Sequence, residues 1–199
     1  MLTSIRRENG SVADVERPGF ESAVTKSYPA AGRADLVIAD ESAAAKTIVK
    51  ASPGTPVASA LGVAFGSSRR GGDVLVSGQR PGEWLLIGVH DAVGALLARL
   101  DTSGHVSTVD QTHGQALFRL TGERAASTLE KLCSLDWSDQ MTPDGAAASA
   151  SVAKVNCDLI RDDADGTPSY LIACDRSYGQ YLFDAIVDAG DEFAVGVAR

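Results

Sequence analysis

Cysteine, histidine and positive charge are all scarce in this chain, and each shortage removes a class of function. Its 199 residues hold three cysteines: Cys133, Cys157 and Cys174, an odd number in separate segments, with no Cys-x-x-Cys spacing. That pattern carries no signature of a thiolate metal site, a redox pair or a disulfide-stapled secreted scaffold. It reads as three reduced thiols packed in a core. The three histidines, His90, His105 and His113, lack the His-Glu-x-x-His spacing that sets two imidazoles on one helical face. Eighteen Lys and Arg stand against twenty-six Asp and Glu, for a net charge of -8. The pairs Arg6-Arg7 and Arg69-Arg70 are too short to form a basic stripe, so nucleic acid is not an expected partner.

Long apolar runs are missing too. The first ten residues carry charges where a secretion signal needs roughly seven or more apolar residues, and no stretch approaches the roughly twenty that span a bilayer. The expectation is a cytoplasmic chain with no membrane partner. There is no Gly-x-Gly-x-x-Gly after a strand, no phosphate-cradling Gly-x-x-x-x-Gly-Lys-(Ser/Thr) and no Gly-x-Ser-x-Gly elbow. The glycines at 62, 66, 71 and 72 are spaced like a flexible loop.

A few residues invite a chemical reading and then resist it. Asp162 to Gly166 resembles a calcium loop, but its first ligand position would be Arg161 and its twelfth Ile172, where a bidentate glutamate belongs, so a turn is expected. Glu83 beside Trp84 could be an acid whose pKa is raised by an indole. It lacks the second carboxylate that general acid–base chemistry uses, and reads instead as a surface residue before a core aromatic. His113, three residues after Asp110, reads as a hydrogen-bond donor near a strand end. No catalytic, cofactor-binding or metal-ligating residue is assigned.

What is present is an ordinary globular composition, 44% hydrophobic and 22% charged, in a chain long enough to bury a full core. Residues 1–26 read as an extended arm and 27–199 as one domain, with two lobes possible and a boundary near 66–72. Short apolar runs predict strands at 34–39 and 46–51. A turn follows at 52–56 and a loop or linker over 62–72. Strands are expected at Val74 and over 84–89, then a helix with Val93, Leu96, Leu97 and Leu100 on one face. A strand at 106–109 leads to one at 115–120. Thr121-Gly122 then breaks the run in a way that can cap a helix carrying Ala125, Leu129 and Leu132.

Residues 141–151 read as an alanine-rich loop. Ala153, Val155, Cys157 and Leu159 alternate as a half-buried strand, paired through the 162–166 turn with a strand at 170–174. Ser177 to Gln180 fits a capping box for a helix with Tyr178, Tyr181, Leu182, Ala185, Ile186 and Ala189 on one face. Phe193, Val195 and Val197 end the chain at strand period. The order strand, helix, strand, strand, helix, strand predicts an α+β fold with antiparallel or mixed sheets of ferredoxin-like type, packed by helices.

Three segments together carry a family resemblance: Pro81-Gly-Glu-Trp-Leu-Leu86; Asp110-Gln-Thr112 with Leu120-x-Gly122-x-x-Ala125 and Leu135-Asp-Trp137; and residues 168–182 with Arg176-Ser-Tyr178, followed by Asp188-Ala-Gly-Asp-Glu-Phe193. The chain resembles the gamma subunit of heterotetrameric sarcosine oxidase, a relative of the folate-binding aminomethyltransferase of the glycine cleavage system. The resemblance extends over roughly residues 72–199 and rests on packing and turn motifs, none of them catalytic. It implies an aminomethyltransferase folate-binding-like fold and a non-catalytic structural subunit beside alpha, beta and delta subunits. Through those other subunits the complex would use FAD, FMN, NAD, zinc and tetrahydrofolate. Together they would demethylate sarcosine to glycine, releasing hydrogen peroxide and, with tetrahydrofolate, 5,10-methylenetetrahydrofolate. The alternative is a stand-alone folate-binding protein or aminomethyltransferase. The arm before residue 26 and the loop around Met141 are the candidate contact surfaces.

Overall fold

The computed structural model describes residues 20–28 and 35–198, so most of the expected arm, residues 1–19, lies outside the described residues. The first sheet-forming segment is β1 (Leu36–Asp40). Two successive units then share one order of elements. The first runs β2 (Ala45–Ala51), α1 (Pro56–Leu61), β3 (Ser68–Gly71), β4 (Val74–Arg80), β5 (Glu83–Gly88), α2 (His90–Leu97) and β6 (Val106–Asp110). The second runs β7 (Gln115–Gly122), α3 (Ala125–Glu130), β8 (Ala147–Val152), β9 (Val155–Arg161), β10 (Ser169–Asp175), α4 (Gly179–Gly190) and β11 (Gly196–Ala198).

The first unit forms a five-stranded antiparallel sheet ordered β3-β4-β5-β2-β6, and the second a six-stranded mixed sheet ordered β11-β1-β7-β10-β9-β8. Without the hairpin additions β3 and β8, each unit is a βαββαβ ferredoxin-like motif whose first strand pairs with its third. The expected ferredoxin-like α+β class is therefore present twice. One deviation joins the units: β1 inserts between β7 and β11, antiparallel to the first and parallel to the second.

Strand alternation sorts side chains into layers. On the five-stranded sheet, Val49, Val74, Val76, Trp84 and Leu86 pack against Val57 and Leu61 of α1 and Val93 of α2. On the six-stranded sheet, Phe118, Leu120, Tyr170 and Ile172 pack against Leu129 of α3 and Leu182, Phe183 and Ile186 of α4. The opposite faces meet each other, Leu75, Leu85 and Ile87 against Leu117, Ile160, Leu171 and Ala173. Helices, sheet, sheet and helices make four layers.

Several sequence expectations are corrected. Pro56, read only as part of a turn, starts α1 at a position where the missing N–H costs nothing. Part of the glycine-rich 62–72 loop is the edge strand β3, whose exposed side chains leave no alternation to detect. The alanine-rich loop contains β8, paired along its length with β9. The strand predicted from Ala153 starts at Val155, because Ala153 (φ 46) and Lys154 (φ 70) form the two-residue turn between Val152 and Val155.

Both predicted caps fail. Thr121 and Gly122 are still in β7, and α3 starts after Arg124 with no side-chain cap. Gly122 adopts φ +139, with its missing Cβ aimed 2.0 Å from the Asp35 carbonyl oxygen, so glycine is required by the close approach of β1. The helix α4 begins after a tight turn at Arg176–Tyr178 and Ser177 does not cap it. Gln180 instead accepts the backbone N–H groups of Thr25 (2.7 Å) and Lys26 (3.1 Å), fastening residues 20–28 to the helix. Tyr178 and Tyr181, expected on the buried face, are 52% and 53% exposed, while Phe183 is buried. Phe193 is in a tight turn beneath Lys131, 4.5 Å from its ring centre, and only Gly196–Ala198 form the last strand.

Two substitutions of opposite sign follow from this backbone. Gly122→Ala would force Asp35 or Gly122 to move, and a loss of about 1–3 kcal/mol is expected in urea unfolding. Lys154→Gly relieves a left-handed residue and is expected to raise stability by about 1 kcal/mol in the same assay.

Candidate functional site: the polar ends of the seam between the sheets

Charged residues within and just beyond the strands build a cluster where the two sheets meet. Arg119 lies mid-way along β7 between buried Phe118 and Leu120, and alternation turns it to the side facing the other sheet. Its Nε donates to Glu41 Oε1 at 2.8 Å, Nη2 to Asp162 Oδ2 at 2.9 Å, and Nη1 to Ser169 Oγ at 2.9 Å. Asp162 also binds Arg70 of β3, whose Nε lies 3.1 Å from Asp162 Oδ1. Two guanidinium groups and two carboxylates thus join β3, β7, the end of β9 and the residue after β1. Nearby, the fully buried Lys46 donates its ammonium to the carbonyls of Ser42 (2.6 Å) and Ala44 (2.9 Å).

The electrostatics follow from depth and partner number. Burial alone would raise the Asp162 carboxyl, but Arg70 and Arg119 outweigh it and hold it below the usual carboxylate range. Glu41 is 1% exposed with one guanidinium partner; burial dominates and pushes its carboxyl up. Burial would lower Arg119, and its two carboxylates reverse that, so it stays charged. The cluster is an interlocked network of two guanidinium and two carboxyl groups, suited to holding two surfaces in register.

The other end of the seam is polar as well. Ser77 and Gln79 are buried, with Gln79 Nε2 donating to Ser77 Oγ at 2.8 Å. Arg80 reaches Asp158 across the sheets at 3.5 Å. Backbone bonds stitch the edge, Ser68 N–H to the Gly145 carbonyl (2.6 Å) and Ala147 N–H to that of Gly66 (3.0 Å).

The residues singled out in the sequence are not brought together. Glu83 lies 2.8 Å from Lys50 Nζ and 2.6 Å from Arg80 Nη1. Burial would raise it, but those cations outweigh burial and hold its carboxyl low, the opposite of an acid catalyst's environment. His90 opens α2, His105 lines a shallow cleft of ≈ 540 Å³ with Lys50 and Glu83, and His113 is exposed with its ring tilted against Phe20 at 5.6 Å. A second cleft of ≈ 710 Å³ is lined by Asp35, Thr121, Glu123, Arg124 and Thr167 among others. Asp162 to Gly166 is a turn closed by Ala164 and Thr167. Cys133, Cys157 and Cys174 are free and buried. Among the described residues no group of three or more His, Cys, Asp or Glu could hold a metal ion, and no helix is long and apolar enough to cross a membrane. Sequence reading missed Glu41, Arg70 and Arg119. One signal was available, a lone arginine in an otherwise apolar strand.

The family model for the sarcosine oxidase, gamma subunit family matches residues 38–192, through both sheets. The chain belongs to the sarcosine oxidase gamma subunit family. Membership supports a gamma-subunit role in an oxidoreductase complex, with other subunits as partners, and does not favour a stand-alone folate-binding protein. A chain of the heterotetrameric sarcosine oxidase from Corynebacterium sp. U-96, solved in complex with pyrrole 2-carboxylate, shares the fold. It superposes with TM-score 0.70 at 21% identity, covering 83% of this chain and 88% of that one. The glycine cleavage system aminomethyltransferase T from Bartonella henselae also shares it, with TM-score 0.63 and 18% identity over 83% of this chain. The gamma-family chain spans 48% of that aminomethyltransferase's length. No curated protein matches the chain.

The seam sets a pH dependence. Asp162, whose folded pKa is depressed, contributes stability that is present above the ordinary carboxylate pKa of about 4 and is lost as pH falls through its folded value. Glu41, whose pKa is raised, acts with the opposite sign and loses its contribution as pH rises through its folded value. Asp162→Asn is expected to cost about 1–3 kcal/mol at pH 7, and the difference from the parent chain should shrink at pH 3, as read by urea unfolding at both pH values.

Proposed function

We propose that this chain is a non-catalytic structural subunit of a cytoplasmic heterotetrameric sarcosine oxidase, in contact with alpha, beta and delta subunits. The family match across both units carries the reading. In that assembly the other subunits hold FAD, FMN, NAD, zinc and tetrahydrofolate. The complex converts sarcosine to glycine, with hydrogen peroxide from the reduction of oxygen and 5,10-methylenetetrahydrofolate from the released one-carbon unit.

The chemistry of the side chains supports a structural role. Glu83, Glu41 and Asp162 are each committed to cationic partners. Burial pushes the Cys157 and Cys174 thiols up to about 12, out of the range of ready nucleophiles. Meanwhile Phe65, Met141, Tyr178 and Tyr181 are each more than half exposed, and Val109 stands 43% exposed on the edge strand β6. Large side chains left in water are what a subunit offers to partners, and a stable interface buries about 1,200–2,000 Å² in total.

Affinity capture of the tagged chain from its native cells tests the proposal. The expected result is co-purification of larger subunits with a flavin absorbance spectrum and sarcosine-dependent peroxide. A colourless, solitary chain that binds tetrahydrofolate at micromolar concentration would replace this reading with the folate-binding one.

A further inference from the structure

Two of the buried thiols occupy one specific cross-strand position. Cys157 of β9 and Cys174 of β10 are directly opposed in an unbroken antiparallel ladder. Both belong to the core cluster on the helix side of the sheet, so their side chains share a face. The type of pair is fixed by the hydrogen bonds further along. The Asp162 N–H donates to the Ser169 carbonyl at 2.9 Å, which makes those opposed residues a hydrogen-bonded pair. Cys157 lies five residues from Asp162 in the same register, an odd number, so alternation makes Cys157 and Cys174 a non-hydrogen-bonded pair. In such pairs the Cα atoms are about 4.5 Å apart and the side chains are closest. A disulfide spans Cα separations of about 4.4–6.8 Å, so one can form here without moving the strands. The Cys157 thiol now donates weakly to the Val155 carbonyl, at 3.4 Å.

We propose that Cys157 and Cys174 are a peroxide-responsive dithiol that closes to a reversible cross-strand disulfide between β9 and β10 of the six-stranded sheet. One thiol loses its proton and its sulfur attacks a peroxide oxygen. The O–O bond breaks, leaving a sulfenic acid and one water. The second sulfur then attacks the sulfenic sulfur, the S–O bond breaks, the S–S bond forms and a second water leaves. Two thiols are oxidised by two electrons in all, and one hydrogen peroxide is reduced to two waters.

The fold controls the rate. Burial, at 3% and 2% exposure, is the main reason both thiols are pushed up to about 12. Cys174 and Cys133, together with Asp158, add to the effect at Cys157, as Asp175 does at Cys174. The pair is therefore slow to react at neutral pH, and its oxidation accelerates about tenfold per pH unit as the thiolate fraction grows. Cys133, 6% exposed in the same cluster, is the competing partner. The inference depends on the proposed function only for the source of the peroxide.

Peptide mapping tests it. The full chain is treated with hydrogen peroxide at pH 7 and pH 9, quenched with iodoacetamide and digested without reductant. The expected product is a peptide pair linked through Cys157 and Cys174, two hydrogens lighter than the dithiol, more abundant at pH 9 and opened by dithiothreitol. It should survive Cys133→Ser and disappear in Cys174→Ser; the parent-chain map decides the matter even if a variant fails to fold. A link through Cys133, separate sulfinic acids with no link, or a link formed only in denaturant would each overturn the proposal. Repeating the map on the captured complex during sarcosine turnover, with and without catalase, isolates the oxidant. A catalase-sensitive link supports peroxide made by the complex, whereas a link with added peroxide alone overturns that source and leaves the dithiol itself established.

Discussion

Each sheet has two apolar faces and only one set of helices, and that mismatch governs the molecule. The outer face of the five-stranded sheet is covered by α1 and α2, and that of the six-stranded sheet by α3 and α4. Leu75, Leu85 and Ile87 on one inner face, and Leu117, Ile160 and Leu171 on the other, have nothing to cover them but each other. Neither unit can therefore bury its apolar surface alone, although each has a complete ferredoxin-like order of elements. The position of β1 strengthens the dependence. It precedes the first unit in the chain yet pairs with β7 in the second unit's sheet, so separating the units would break a strand ladder as well as an apolar contact.

Polar groups at the ends of this contact fix how the sheets meet more than how strongly. A buried ion network gains little over a well-packed apolar one, because desolvation offsets most of the attraction. Its effect on register is larger. A slip of one residue in β7 would send Arg119 into the helix-side core and bring Phe118 out to the seam, leaving Glu41 and Asp162 buried without their shared guanidinium. Arg119 thus penalises the wrong pairing far more than it rewards the right one, and Arg70 extends the same constraint to the neighbouring sheet through Asp162.

How legible the fold was depended on how much apolar side chain a segment buries. The strands β2, β5, β7 and β10 carry strong apolar content and were visible, as was the α2 face of Val93, Leu96 and Leu97. The edge strands β3 and β8 were not, since Ser, Arg, Gly and Ala at a solvent-facing edge lack an alternating signal. The two caps misread at Thr121-Gly122 and Ser177–Gln180 share a cause: local capping chemistry was outcompeted by distant partners, the β1 backbone at Gly122 and residues 25–26 at Gln180. The seam network was the least legible part. Glu41, Arg70, Arg119 and Asp162 are up to 121 positions apart in the sequence, and only the packing of one sheet on the other brings them together.

The same reasoning separates what the fold says from what the family says. An aminomethyltransferase and a sarcosine oxidase chain share this architecture at 18% and 21% identity, and a shared scaffold does not transmit a reaction. Chemistry has to be argued from side chains, and here the charged side chains nearest to a catalytic appearance are already neutralised. Glu83 is held by Lys50 and Arg80, and Asp162 by Arg70 and Arg119. A carboxylate held low by two cations is a poor proton acceptor at neutral pH and has no proton to donate. Asp162 stabilises the seam by remaining ionised between two guanidinium groups, and the same pairing withdraws its carboxylate from acid–base work at neutral pH.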